Sequence, residues 1–269
     1  MPHLAALRKV YGVGRSLAIY YGRPWRFRRM DAFYARIIRP GDLCFDLGAH
    51  VGNRVRSWRA LGARVVAVEP QPALVRVLQL LYGRDPQVSI VEAAIGEREA
   101  TLPLHLNLAN PTISSASEMF IAHARAAHSF RGEQWGDRIE VPATTIDALV
   151  RAYGVPRFIK IDIEGHEAEA VRGLSRPVFA LSIEFVPMTR IIAEAALDRL
   201  AQLGDYRFNA SYGDDMRLLH PVEGSEWPQF PVTGGVHTYH FNWPTVRVPV
   251  AHCLILEGPH GKDRFYRSG

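Results

Sequence analysis

From residue 41 onward the chain alternates between two hydrophobic periods. "LCFDLG" is a short, continuous apolar run, followed by "NRVRSWRALG", whose apolar positions recur at helical spacing up to Gly62. "ARVVAVEP" and "QVSIVEAAIG" are again β-branched runs, separated by the strongly apolar helical pattern "QPALVRVLQLLYGR". Strands that are apolar at nearly every position, alternating with helices, predict a parallel sheet covered on both faces. The alternation resumes in "IEVPATTIDALVRAYG", a strand and then a helix capped near Thr144 or Thr145. The strand "PRFIKIDIEG", the helix "HEAEAVRGL" and the buried strand "PVFALSIEFVP" come next. "MTRIIAEAALDRLAQLG" predicts an amphipathic helix ending at Gly204. "YRFNASY" and "MRLLHPV" around Gly213-Asp214-Asp215 predict a β-hairpin, and "HCLILE" a last strand. The fold class is α/β, one domain with additions.

Two regions break the pattern. Residues 1–30 read as irregular helix interrupted by Gly12, Gly14 and Gly22, with "YYGRPWRFRRM" as a connector. "MDAFYARII" predicts a short helix stopped by the turn "RPGD". After the accessory strand "ATLPLHLNL", residues 107–138 are polar and rich in small residues, which predicts a long, partly helical lid. The expected organisation is a helical arm or cap over residues 1–40 and a main domain over 41–269. The main domain carries the lid at 107–138 and an accessory hairpin region at 208–250.

Composition adds bounds. The chain has 269 residues, 48% hydrophobic and 22% charged, as an ordinary globular protein with a sizeable core does. No run approaches the roughly 18 apolar residues of a membrane span. "MPHLAALRKVYGVGRSL" is too interrupted by charge and glycine to read as a secretory signal. Cys44 and Cys253 lie in apolar, strand-like runs and read as buried free thiols in a reducing compartment, so the expected location is cytoplasmic. The net charge of +5 is uneven: residues 1–40 hold eight Arg and Lys9 against Asp31 alone, +8, which leaves −3 for the rest. Such an arm could face an anionic acceptor, a nucleic acid or a membrane surface. It is equally well a solvated arginine-rich face, since Arg outnumbers Lys 29 to 3 throughout.

The first strand runs into "CFDLGAHVGNRV", with Asp46 at its end and Gly48 and Gly52 in the turn after it. Ligands of open α/β sheets sit beyond the strand ends at such turns. Gly48 permits a tight turn, and Gly52 is expected to let the backbone approach the ligand. The dinucleotide fingerprint requires a glycine where His50 stands, position 53 is Asn, and there is no phosphate-binding GxxxxGK[ST] loop. Asp46 would oppose a pyrophosphate but suits a cationic ligand. The second strand ends in Glu69, 17 residues past Gly52, near the spacing at which a carboxylate accepts ribose hydroxyls. Together these features favour a nucleoside with a positively charged amino-acid tail, S-adenosylmethionine, over a nicotinamide cofactor.

The motifs "FDLGAHVGNRV", "VVAVEPQP", "VEAAIGEREATLPL", "ATTIDALV" with "FIKIDIEGHEAEAVRGL", and "LSIEF" resemble those of the FkbM family of S-adenosylmethionine-dependent methyltransferases over about residues 40–205. The family usually carries Asn where His50 stands. The resemblance implies a class I methyltransferase fold, Rossmann-like, with a seven-stranded, mostly parallel sheet whose last strand is antiparallel. It also implies O-methylation of sugar or natural-product hydroxyls. Carried over, Asp46, Gly48, Ala49 and Gly52 would line the methionine end, with His50 and Asn53 in the same turn. Glu69 would hold the ribose beside Pro70 and Gln71, and Glu92 and Ala93 would border the adenine.

Methyl transfer from a sulfonium is an in-line displacement, for which the protein aligns the reactants and excludes water. A hydroxyl acceptor gains from a base that takes its proton. The candidates are Glu164, His166 and Glu184, with Asp162 at the cofactor's methionine moiety. Asp162 and Glu164 share one side of a strand by period two. The bland alternative has Glu164 and Glu167 complementing a helix N-terminus, His166 capping it and Glu184 pairing with an arginine. The D-x-E-x-H run also admits Mg²⁺, which nothing requires, and no metal ligand is assigned. His237, His240 and Trp243 have no Cys nearby and do not fit zinc; their segment could wall the acceptor site or be a plain hairpin. The expected partner is a small-molecule or glycan acceptor. No nucleic acid is expected, because neither base-methylation signature is present. Peripheral membrane contact through residues 1–30 stays open, although a cap over the site suits that helix better. The alternative functions are a nicotinamide oxidoreductase, or a nucleic-acid or membrane-associated methyltransferase using the basic arm.

Overall fold

The computed structural model describes residues 2–204, 206–212, 216 and 252–257. The main sheet is built from β1 (Leu43–Leu47), β2 (Arg64–Val68), β3 (Val88–Val91), β7 (Phe158–Ile161), β8 (Ala180–Phe185), β9 (Arg207–Tyr212) and β10 (His252–Glu257). Its order is β3-β2-β1-β7-β8-β10-β9. The first five strands in that order run parallel; β10 is antiparallel to both β8 and β9. This is the class I methyltransferase arrangement, with the last strand in sequence inserted and reversed. The order turns back between β1 and β7, and that switch point is where such a sheet opens a crevice for a ligand.

Every second side chain serves one face. Phe45, Leu47, Ile159, Ile161 and Leu181 pack under α6 (Ile146–Tyr153), α7 (Glu167–Arg172) and α8 (Arg190–Leu203). Cys44, Val65, Ala67 and Phe158 pack under α2 (Trp25–Tyr34), α3 (Asn53–Ala60) and α4 (Pro72–Tyr82), with Trp58 and Tyr34 edge-on to Phe158. The Thr145 side chain caps α6 by accepting from the Ala148 amide at 3.0 Å. Cys44 is a buried free thiol; the Cys253 side chain lies outside the described residues.

Three elements differ from expectation. The N-terminal region is a continuous α1 (Pro2–Tyr21) through Gly12 and Gly14, and the expected connector is already α2. Tertiary packing outweighs the glycine penalty there: a Cβ at Gly12 would lie 2.2 Å from the Leu108 carbonyl oxygen, so the glycine lets α1 settle on the 107–111 segment. "QVSIVEAAIG" is two strands, β3 and β4 (Ala94–Ile95), in different sheets. β4 pairs with β6 (Asp137–Thr144), which pairs with β5 (Ala100–Leu106), in a second, three-stranded sheet. Between β5 and β6 lies α5 (Glu118–Ala126), with its own small core of Ile113, Phe120, Ile121, Ala124 and Trp135. The expected hairpin turn at 213–215 and the segment with His237, His240 and Trp243 lie outside the described residues. Among the described residues no helix is long and apolar enough to cross a membrane.

Candidate active site

The turn after β1 is shaped by three left-handed residues. Gly48 (φ +78°) has no room for a side chain, since a Cβ would stand 1.9 Å from the Asp162 carbonyl oxygen. His50 (φ +51°) adopts the same region without being glycine, and Gly52 (φ +82°) precedes α3. The amides of Gly48 and Ala49 both donate to the Val68 carbonyl at 2.9 Å, which draws the turn across the end of β2. That places Glu69 beneath it. The two Glu69 carboxylate oxygens accept from the amides of His50 and Gln71, each at 2.9 Å. Burial pushes Glu69 up to about 7 in spite of those two donors.

On the other side of the switch point lies a cluster of charge. In-register pairing sets Asp46 beside Lys160 on adjacent strands. The Lys160 ammonium stands 3.0 Å from Asp162 and 3.3 Å from Asp46, and donates to the Gly48 carbonyl at 2.8 Å. Burial alone would lower Lys160, but the two carboxylates outweigh it and hold it charged. Burial opposes ionisation of Asp162 too, yet Lys160 and a hydrogen bond from Glu184 hold it down at about 2. Glu164 and Glu184 go the opposite way: burial, reinforced by the Asp162 charge, raises both well above the usual carboxylate range. His166 is kept neutral to lower pH than usual by burial, and its Nδ1 stands 3.8 Å from a Glu169 carboxylate oxygen. The turn carrying these groups is braced by Glu167, whose Oε1 accepts from the amides of Ile163 and Gly165 at 3.1 Å. Glu164 takes a left-handed φ of +53°, and the Ser115 hydroxyl donates to its carbonyl at 2.6 Å.

These two ends face a common cavity of about 220 Å³, whose walls include Glu69, Asp162, Glu164, His166 and Glu184. The model of the methyltransferase FkbM domain matches residues 46–203, more than half of the chain. The chain belongs to the FkbM methyltransferase family. It is an S-adenosylmethionine-dependent methyltransferase. A comparison with curated proteins finds no match. Solved structures similar to this methyltransferase include the C-terminal domain of precorrin-6Y C5,15-methyltransferase from Rhodobacter capsulatus, at 13% identity over 84% of this chain and 86% of that one, TM-score 0.40. A TehB-like SAM-dependent methyltransferase from Corynebacterium glutamicum has 11% identity over 91% and 99%, TM-score 0.41. Fibrillarin from Aeropyrum pernix with bound S-adenosyl-L-methionine has 10% identity over 82% and 68%, TM-score 0.40.

Of the residues expected at the FkbM methyltransferase's site, the structure gathers Gly48, His50, Asn53, Glu69, Pro70, Gln71, Ala93, Asp162, Glu164, His166 and Glu184 around this cavity. Four others stand elsewhere. Asp46 is fully buried behind the turn, against Lys160, because its strand position points it to the α2–α3 face. Ala49 is buried beneath the turn. Gly52 makes room for α4 rather than a ligand: a Cβ there would lie 2.6 Å from the Tyr82 ring and 2.8 Å from Leu78. Glu92 is exposed, since the chain turns after Val91 and directs Ala93 inward instead. Asp162 and Glu164 share the cavity for a reason other than strand period, because β7 ends at Ile161. Glu184 partners Asp162, not an arginine.

The fold adds residues to the methyltransferase cavity that sequence reasoning missed: Lys160, Arg54, Tyr20 of α1, and Pro111, Thr112 and Ser114 of the 107–138 segment. A lysine inside the apolar run "FIKI" was the one available signal for Lys160. Gln71 ties the segment down, donating to the Pro111 carbonyl at 3.0 Å and accepting from Ser114 at 3.1 Å. The donor set fits S-adenosylmethionine. Glu69 offers a buried carboxylate with lone pairs left for a diol, and both ring nitrogens of His50 are buried without a hydrogen-bond partner among the described residues. Among the described residues no three His, Cys, Asp or Glu side chains converge as a metal site, and the cation among the carboxylates is Lys160 itself.

Proposed function

We propose that this methyltransferase acts on a hydroxyl oxygen of a small molecule or glycan, with His166 as general base. The observation that carries the reading is the grouping of a neutral imidazole with Glu164 and Glu184 on one wall of the cavity that Glu69 also lines. S-adenosylmethionine supplies an electrophilic methyl group when bound. Glu69 accepts the ribose hydroxyls, ionised Asp162 attracts the amino group, and Arg54 at the start of α3 suits the carboxylate. Ala93, Ile95, Leu104 and Pro70 give the apolar surface an adenine needs.

His166 has its lone pair free at neutral pH, as a base must. Glu169, beside its Nδ1, offsets the charge of the imidazolium that forms. Glu164, whose carboxyl is raised by burial and the Asp162 charge, faces the acceptor, and Glu184 holds Asp162 by the hydrogen bond they share. Residues 107–138 act as the lid and residues 1–40 as a cap, through Pro111, Ser114 and Tyr20. The buried unpaired thiol of Cys44 suits the cytoplasm.

The test has two parts. Calorimetry should detect S-adenosylhomocysteine and not NAD. With hydroxylated glycans and small molecules as acceptors, mass spectrometry should locate the new methyl group on oxygen. His166→Ala should cut turnover by about 10²–10⁴-fold while leaving cofactor affinity intact. Methylation at carbon or nitrogen, or full activity in His166→Ala, overturns the reading.

A further inference from the structure

The two faces of α1 differ in character. Its inner face is spent inside the protein: Gly12 lies against Leu108 and Pro111, Ser16 is buried, and Tyr20 lines the cavity. The Tyr21 hydroxyl donates to the Val51 carbonyl at 3.0 Å. Its outer face carries Leu7, Val10 and Tyr11, which are 67%, 72% and 65% exposed. Gly14 and Ala18, both exposed, continue that stripe at helical spacing. Trp25, 65% exposed, stands at the start of α2, separated from the end of α1 by three residues. Large apolar side chains gathered on one exposed face mark an interaction surface. The same region is cationic: residues 1–30 hold seven cations and no anion, with Arg8, Arg23 and Arg26 exposed and Arg15, also exposed, donating to the Asn110 side chain at 2.8 Å.

That combination selects among partners. A second copy of the face would bring two cation-rich, anion-free segments together. A nucleic acid would engage the arginines but leave Leu7, Val10, Tyr11 and Trp25 in water. A lipid surface with anionic headgroups satisfies both, since the apolar stripe enters the acyl boundary while the arginines meet the headgroups. We propose that the outer face of α1, together with Trp25, docks this protein in-plane on a bilayer containing anionic lipids. The same helix then holds Tyr20, and with it one wall of the cavity, about one helix diameter (~10 Å) from the headgroups.

The full chain should float with vesicles of phosphatidylcholine containing one-third phosphatidylglycerol, and not with phosphatidylcholine alone. Raising the salt should weaken the partition. Leu7→Asp with Tyr11→Asp, both exposed positions, should weaken it about tenfold or more. S-adenosylhomocysteine affinity should be unchanged in that variant, which shows that fold and cofactor site survive. Absence of flotation with anionic vesicles overturns the proposal, as does flotation unaffected by the double substitution. Self-association that the same substitutions abolish would assign the face to a second copy, and salt-dependent DNA or RNA binding without flotation would assign it to nucleic acid. Either result also overturns the proposal, while leaving the methyltransferase reading intact.

Discussion

The two ends of the cavity are built on opposite principles. At the β1–β2 end, Glu69 is anchored by two backbone amides and has no ion-pair partner among the described residues. At the β7–β8 end, the Lys160 ammonium stands between Asp46 and Asp162, with Glu164 and Glu184, both raised by burial and the Asp162 charge, beyond it. The first end depends on backbone shape, the second on charge balance. Asp46 is cut off from water, and what compensates its burial among the described residues is Lys160, 3.3 Å away, with a further Coulombic contribution from Arg54.

The largest effect should come from breaking that balance. Lys160→Met should cost about 3–5 kcal/mol in urea unfolding, because it strands buried carboxylates. Adding Asp46→Asn should recover part of the loss; no recovery would mean that the ion pair is not the cause. At the other end, Gly52→Ala should cost ~1–3 kcal/mol through its left-handed φ and the Tyr82 ring, seen as a lower melting temperature. Glu69→Gln should weaken S-adenosylhomocysteine about tenfold to a hundredfold by calorimetry, since its amide would turn a donor toward one of the two backbone donors. An unchanged affinity would remove Glu69 from the ribose site.

The smallest effect is a matter of pH. Glu69 and Glu167 are raised to about 7, so the folded protein holds their protons more tightly than the unfolded chain. Their stabilisation is complete below the ordinary glutamate value of 4.5 and is lost as pH rises through about 7. His50 is lowered to about 4 and His166 is also lowered, which works the other way but only below their ordinary value of 6.5. Between pH 6.5 and 8 the carboxylates therefore act alone, and the melting temperature should fall. Glu69→Gln should flatten that slope.

The sequence made the β1–β2 end readable because its cues are local. A strand, a glycine turn and a second strand place Glu69 through chain connectivity alone. It misled on Asp46, Gly52 and Glu92, because the face to which a strand-end side chain points depends on packing partners far along the chain. Tyr82 and Leu78, which make Gly52 necessary, are some 30 residues away. The "KIDIEGHE" run was legible as a site, but its geometry is a left-handed turn and not a strand. The hold of Gln71 on Pro111 and Ser114 and the continuity of α1 were hidden for the same reason: both rest on contacts between segments whose local patterns are weak.

The short parallel pairing of Ala94 and Ile95 with Ala143 and Thr144 has a consequence for how such an enzyme changes over time. It brings the entrance and exit of the intervening segment side by side. Beyond Ala116 the length of that segment can drift without moving the strands that carry Glu69 or Asp162, since loop closure depends only weakly on length, whereas Leu104, Pro111 and Ser114 line the cavity and are held in place. A tether of that kind lets one stretch of surface vary while the walls of the cavity keep their places.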